Sequence, residues 1–337
     1  MKASTRTVCS VVFLLALGSL TASARAPEVT IDLAARAMTP GELVVVTLTF
    51  ATEPSSVQVG MFNHTTRAFD TGAGTWKALV GIDLDQKPGA YALSIDARVG
   101  SATIHHAHSF AVARKTFPTR TLDVSPDFVN PPASVAARIA REAELVRDAY
   151  AHSAPERLWQ APFTRPVPQA ANSRFGQRSV FNGQERNRHS GTDFASPEGT
   201  PIHAPNTGRV VVADNLFFSG NTVILDHGLG VFSMLAHLSR IDVHAGDMAP
   251  VGSVIGLVGA TGRVTGAHLH WALRVSGARV DSMGALALLG GPATVTGAVL
   301  PTTDEAMKSR PPRSHAIRQA VINAPPAAPV AEARRRN

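Results

Sequence analysis

TGAHLHWALRV, residues 265–275, sets His268 and His270 one residue apart at the head of an apolar run. In an extended chain residues i and i+2 share a face, so both imidazoles converge on one spot. A strand that only had to pack would favour Val or Ile there. Similar short apolar runs precede it: GRVVVAD, NTVILD, GVFSMLAHL and SVIGLVG, joined by Gly-rich turns. Strand-length runs between turn residues predict a β domain over about 171–287.

Upstream, residues 25–115 carry VTIDL, ELVVVTLTF, SSVQVGMF, WKALVGIDL, YALSIDARV and TIHHAHSFAVA, separated by TPGE, TGAGT and KPGA. Short strands between Pro-Gly turns predict a β-sandwich, here without the cysteine pair of antibody-type domains. Residues 116–170 read as a linker, with a helix over about 134–153 in which Val135, Ile139, Leu145 and Val146 form one broad stripe. The fold expected is mainly β: an N-terminal β-sandwich, a helical linker, and a C-terminal antiparallel β domain with an open groove. Residues 288–337, rich in Pro, Ala and Arg, read as a disordered tail.

Of the 337 residues, 44% are hydrophobic and 17% charged, as in a folded soluble protein. The first 24 have Lys2 and Arg6, an apolar stretch, then Ala22-Ser23-Ala24, the pattern of a cleaved secretory signal peptide. The apolar stretch is short for a membrane span, so no stable membrane anchor is expected after cleavage. Cys9, the one cysteine, lies inside that segment, so any metal site in the remainder must use His and carboxylates. Cleavage removes two cations and no anion, taking the formal charge from +7 to +5. A mildly basic exported chain suits an anionic cell wall rather than nucleic acid.

SRFGQRSVFNGQERNRHSGTDFASPEGTP adds His189 and Asp193 in the frame His-x-x-x-Asp. Ser190, Gly191 and Thr192 between them, with Pro197 following, argue for extended chain, where i and i+4 again share a face. With one histidine of the 268/270 pair they make a two-His, one-carboxylate set. Three protein ligands plus a water is the pattern of a catalytic zinc site. His237 in SMLAHLSRI adds a further imidazole near a strand end. There is no HExxH helix.

HSGTD, LAHLS, GATGRVTG and HLHW, in this order, resemble the lysostaphin-type (LytM-like) zinc metallopeptidases of bacterial cell walls over about 171–285, and the segments upstream look like the exported multi-domain members. The resemblance implies His189, Asp193 and His270 as ligands of one zinc ion. It implies His268 as general base towards the attacking water and His237 as a hydrogen-bond donor to the developing oxyanion. Arg263 and His227 are candidate substrate contacts. Leu235 stands where the family often has a Tyr. The implied activity is hydrolysis of peptidoglycan stem-peptide cross-links, as a D,D-endopeptidase, in the periplasm or the medium. The rival is a non-catalytic or latent wall-binding protein that activates an amidase. A lipoyl-type carrier is excluded, because no lysine lies between Lys115 and Lys308.

Overall fold

The computed structural model describes residues 29–290. The signal-peptide segment and all but the first residues of the expected tail lie outside them. Eight strands build the N-terminal half: β1 (Val29–Ala34), β2 (Leu43–Phe50), β3 (Ser56–Met61), β4 (His64–Arg67), β5 (Phe69–Asp70), β6 (Thr75–Gly81), β7 (Gly89–Val99) and β8 (Ala102–Val112). They form two four-stranded sheets, ordered β1-β2-β6-β5 and β4-β3-β7-β8. Alternation decides the faces. In β3, Val57, Val59 and Met61 are buried while Ser56 and Gln58 are exposed. These side chains join Val44, Val46, Leu48, Leu93 and Ile95 in one core between the sheets, as expected of a sandwich.

The segment 116–170 is more structured than a linker. It contributes β9 (Thr119–Leu122), α1 (Pro126–Val129), a 3-10 turn at Ala133–Val135 and α2 (Ala136–Ala151). The expected helix is there, but none of its residues is fully buried and its inward stripe is narrower. Val146, Ala149 and Tyr150 pack against Val212, Ile224 and Phe232, whereas Leu145 is 40% exposed.

The C-terminal half comprises β10 (Arg178–Phe181), β11 (Gln184–Arg188), β12 (Thr192–Phe194), β13 (Pro201–His203), β14 (Gly208–Leu216), β15 (Gly220–Asp226), β16 (Val231–Ile241), β17 (Met248–Ala249), β18 (Val254–Val258), β19 (Leu269–Val275), β20 (Ala278–Val280) and α3 (Ser282–Leu289). Leu288 and Leu289 thus belong to a helix rather than to the tail. The main sheet runs β12-β19-β16-β15-β14-β17, with β13 on β18, β18 on β16 and β20 on β19. All these pairs are antiparallel. Its core holds Phe194, Ile202, Leu225, Leu235 and Trp271. Trp271 also donates its indole N–H to Ser233 Oγ at 3.2 Å, which satisfies its one polar atom.

A second, three-stranded sheet runs β11-β10-β9. Its hairpin turns at Asn182-Gly183, both with positive φ (49° and 78°), the geometry that Asn-Gly favours. Strand β9 joins in parallel, pairing Arg120 with Ser179 and Leu122 with Phe181. The two halves share a third apolar cluster, in which Leu43 and Leu79 of the sandwich meet Val231, Leu273, Val275 and Val280. Arg279 ties the same junction by donating to Asp83 at 2.6 and 3.0 Å and to Asp85 at 2.8 Å.

Candidate metal centre

Register explains how residues 77 apart meet. Strand β19 lies between β12 and β16, and His270 pairs directly with Asp193 on one side and with Ala236 on the other. Directly opposed side chains stand only about 5 Å apart at Cβ, so Asp193 Oδ1 comes within 2.9 Å of His270 Nδ1. His189 Nε2 is 2.9 Å from the same oxygen and 3.0 Å from His270 Nδ1. Gly191 permits this closeness: a Cβ there would stand 2.6 Å from His270 Cε1 and 2.7 Å from Trp271 O.

His189 Nδ1 lies 3.3 Å from Arg174 O and 3.3 Å from Ser173 Oγ. A carbonyl only accepts, so Nδ1 donates there and Nε2 is left facing Asp193 Oδ1 at 2.9 Å. With Nε2 deprotonated, its lone pair, Asp193 Oδ1 and His270 Nδ1 converge on one point, as the ligands of a cation do. Ligands about 2.0–2.1 Å from a tetrahedral ion stand roughly 3.4 Å apart, so the three atoms would need to open only slightly to hold one. Burial alone would raise the Asp193 carboxyl's pKa; hydrogen bonds and charge from His189 and His270 outweigh it and hold the group well below the usual range. His270 is itself shifted down, chiefly by burial, the direction that favours the neutral form a ligand needs. The other oxygen, Asp193 Oδ2, accepts from Ser173 Oγ at 2.8 Å and faces Arg120 Nη1 at 3.4 Å. The three residues fit a metal ion, and they form the one such cluster among the described residues.

Two more imidazoles stand beside them. His268 Nδ1 donates to Gly266 O at 2.8 Å, and its Nε2 is 4.0 Å from Asp193 Oδ1. His237 has a left-handed backbone (φ 69°), where the β15–β16 register shifts between Leu235 and Leu238. Such a bulge re-aims a side chain. Its ring lies 4.9 Å from that of His268 and 6.0 Å from that of His270. Its Nδ1 donates to Thr261 O at 2.9 Å. Burial, aided by the neighbouring histidines, pushes its pKa down to about 3. The neutral ring therefore offers Nε2 as an acceptor. The donor role expected for His237 is open to it only after it has taken up a proton.

All five residues line one cavity of about 580 Å³. Arg263 lines it too, its guanidinium 4.9 Å from the Phe181 ring and 4.8 Å from the Phe218 ring. His227 does not. It is fully buried, donates through Nδ1 to Thr207 O at 2.9 Å, and accepts at Nε2 from Ser233 Oγ at 2.9 Å. Both nitrogens are engaged inside the core, so the expectation of a substrate contact is corrected to a structural one. Leu235 is wholly buried opposite Trp271, so the side chain at this place packs rather than reaching the cavity. Arg120, Ser173, Phe181 and Phe218 line the cavity and were not anticipated. Asn182-Gly183 was a readable hairpin signal for Phe181; nothing local marks Arg120.

The family model described as peptidase family M23 matches residues 187–282. The peptidoglycan DD-endopeptidase ShyA of Vibrio cholerae is 46% identical over 95 residues, 28% of this chain and 22% of that protein. The DD-carboxypeptidase/endopeptidase Mpg of Neisseria meningitidis is 41% identical over 93 residues, 28% of this chain and 21% of that protein. The chain thus spans about a fifth of the length of these curated relatives. A crystal structure from Pseudomonas aeruginosa assigned to peptidase M23 extends the likeness upstream. It is 34% identical, with a TM-score of 0.58, over 73% of this chain and 95% of that one. With that shared architecture, the His-Asp-His cluster able to hold a metal and the matching family model, the chain belongs to peptidase family M23.

Proposed function

We propose that the protein is an exported zinc metalloendopeptidase that hydrolyses peptide cross-links of peptidoglycan, as a D,D-endopeptidase. The observation that carries this is the convergence of His189 Nε2, Asp193 Oδ1 and His270 Nδ1 within 3.0 Å of one another, beside two further imidazoles that each bind a carbonyl through Nδ1. The donor set, two imidazoles and one carboxylate without a thiol, is that of a catalytic zinc site. The names of the curated relatives support the substrate class, and the signal-like first 24 residues support export, with the periplasm preferred over the medium.

Bound at the three ligands, zinc would acidify a water and polarise the scissile carbonyl. His268 Nε2 takes the water's proton as general base. His237, its ring 4.9 Å from that of His268, can take that proton on from His268 and, once protonated, donates through Nε2 to the developing oxyanion. Gly266 O and Thr261 O hold the two rings in the tautomer that these roles need. The protonated histidine then returns the proton to the departing amine.

Digestion of purified sacculi, with the products identified by mass spectrometry, tests the reading. Cross-linked dimers should disappear with the zinc-loaded protein and persist with chelator. Intact dimers in every lane, together with tight wall binding, would favour the amidase-activating rival.

A further inference from the structure

The metal-site cavity is walled on one side by the segment that joins the two β halves. Strand β9 extends the β10–β11 hairpin, and Arg120, Leu122 and Val124 line the cavity together with the metal-ligating residues. Arg120 shares a face with Leu122, and Leu122 is paired with Phe181, the residue on which Arg263 stacks. Arg188 lines the cavity as well, its guanidinium 5.1 Å from the Phe117 ring. Three arginines thus line a cavity whose one carboxylate, Asp193, is engaged by His189, His270, Ser173 and Arg120, while the Arg188 guanidinium is turned to Leu84 O and Asp85. Planar guanidinium groups are the preferred partners of carboxylates. Of the three, Arg120 stands nearest the chemistry, with Nη1 3.4 Å from Asp193 Oδ2, its side chain 26% exposed and Nε buried with no partner.

We infer that β9 is part of the substrate site and that Arg120 is a specificity-determining residue, binding a free carboxylate on the peptide residue next to the bond that is cut. This rests on the peptidoglycan endopeptidase reading. The Arg263 guanidinium between Phe181 and Phe218 extends the same cationic wall further from the metal site. In consequence the domain matched at 187–282 lacks part of its own substrate site, which residues 119–124 complete.

The test uses the full mature chain and two cross-linked stem-peptide dimers. They differ only in whether the residue beside the cut amide bears a carboxylate or a carboxamide. The wild type should prefer the free acid. Arg120→Gln should raise KM for the free acid roughly ten- to a hundredfold, the worth of a charge-assisted hydrogen bond, with little change for the carboxamide. Zinc retention against a chelator and the melting temperature should be unchanged, and Arg120→Lys should restore part of the preference. Equal losses on both dimers, or loss of zinc, would make Arg120 a support for Asp193 and overturn the inference. A gain on both dimers would make β9 an obstruction and overturn it too. A wild type that cuts both without preference overturns it while leaving the endopeptidase reading intact. A wild type that cuts neither overturns both.

Discussion

The chain carries His-x-His twice in strands, and only one of the two pairs lies in a site. His106 and His108 sit on β8, an edge strand, opposite Ile95 and Leu93 of β7. Their neighbour His105 is 74% exposed and 2.6 Å from Asp96, a surface pair of small worth. His268 and His270 belong to a strand with a partner on each side, and those partners deliver Asp193 and, from the bulge next to Ala236, His237. A pair of imidazoles can serve a metal when register brings a carboxylate and a third imidazole to it; on β8 the directly opposed carboxylate, Asp96, meets only the exposed His105. Residue type alone distinguishes neither pair.

The sharpest way to break this comparison is to remove the carboxylate-facing histidine. His270→Ala should abolish stoichiometric zinc and lower cross-link cleavage on the order of 10³-fold or more, the scale of the Lewis-acid contribution; metal analysis and sacculus digestion would show it. Retention of zinc in that variant would move the centre elsewhere. His268→Ala and His237→Ala should each cost on the order of 10²–10³ in kcat while zinc stays bound. Zinc loss from either would make it a ligand.

Smaller effects test the assignment of His227 to the core. Burial, opposed only by its bond to Thr207 O, pushes its pKa down to about 4, under the unfolded value of about 6.5. The neutral form is the folded one, so its contribution is whole above about pH 6.5 and falls away as the pH drops from about 6.5 towards 4. His227→Gln should flatten urea-denaturation stability across that window by on the order of 2–3 kcal/mol, with KM unchanged. A raised KM would restore His227 to the substrate site.

At the junction, burial would raise the Asp83 carboxyl's pKa, yet hydrogen bonds and charge from Arg279 hold it at about 2. That depressed value stabilises the fold above the unfolded pKa of about 3.9, and the gain fades as pH falls from about 4 to 2. Asp83→Asn should cost roughly 1–2 kcal/mol at neutral pH, allowing for partial solvent screening, and nothing near pH 2. At the bottom of the scale, His106→Ala and His108→Ala should change stability by less than about 0.5 kcal/mol and leave zinc stoichiometry alone. A metal-binding defect there would erase the contrast between the two pairs.

Much of this was legible in the sequence. Short apolar runs bounded by Gly and Pro mark strands because the turn residues break the chain's extended stretches, and they served for β2, β3, β14 and β19. His189, Asp193, His237, His268 and His270 were legible as residue types in strand-end frames, and the structure brings them to one cavity. Two features lie beyond local sequence for one reason: His227, a candidate contact by sequence, is buried in the core, and residues 119–122, linker by sequence, add a strand to a sheet. Whether a histidine faces core or cavity, and whether a short polar segment adds to a sheet edge, depends on which distant strands lie alongside.

The sequence by itself determined the β character, the thiol-free donor set and the residues able to hold a metal, because these follow from side-chain chemistry and local periodicity. Tertiary structure alone decided that Asp193 faces His270, that a bulge turns His237 into the cavity, and that Arg120 reaches Asp193 from 73 residues away. Each is a matter of strand register, which a period of two leaves open until packing selects the partner.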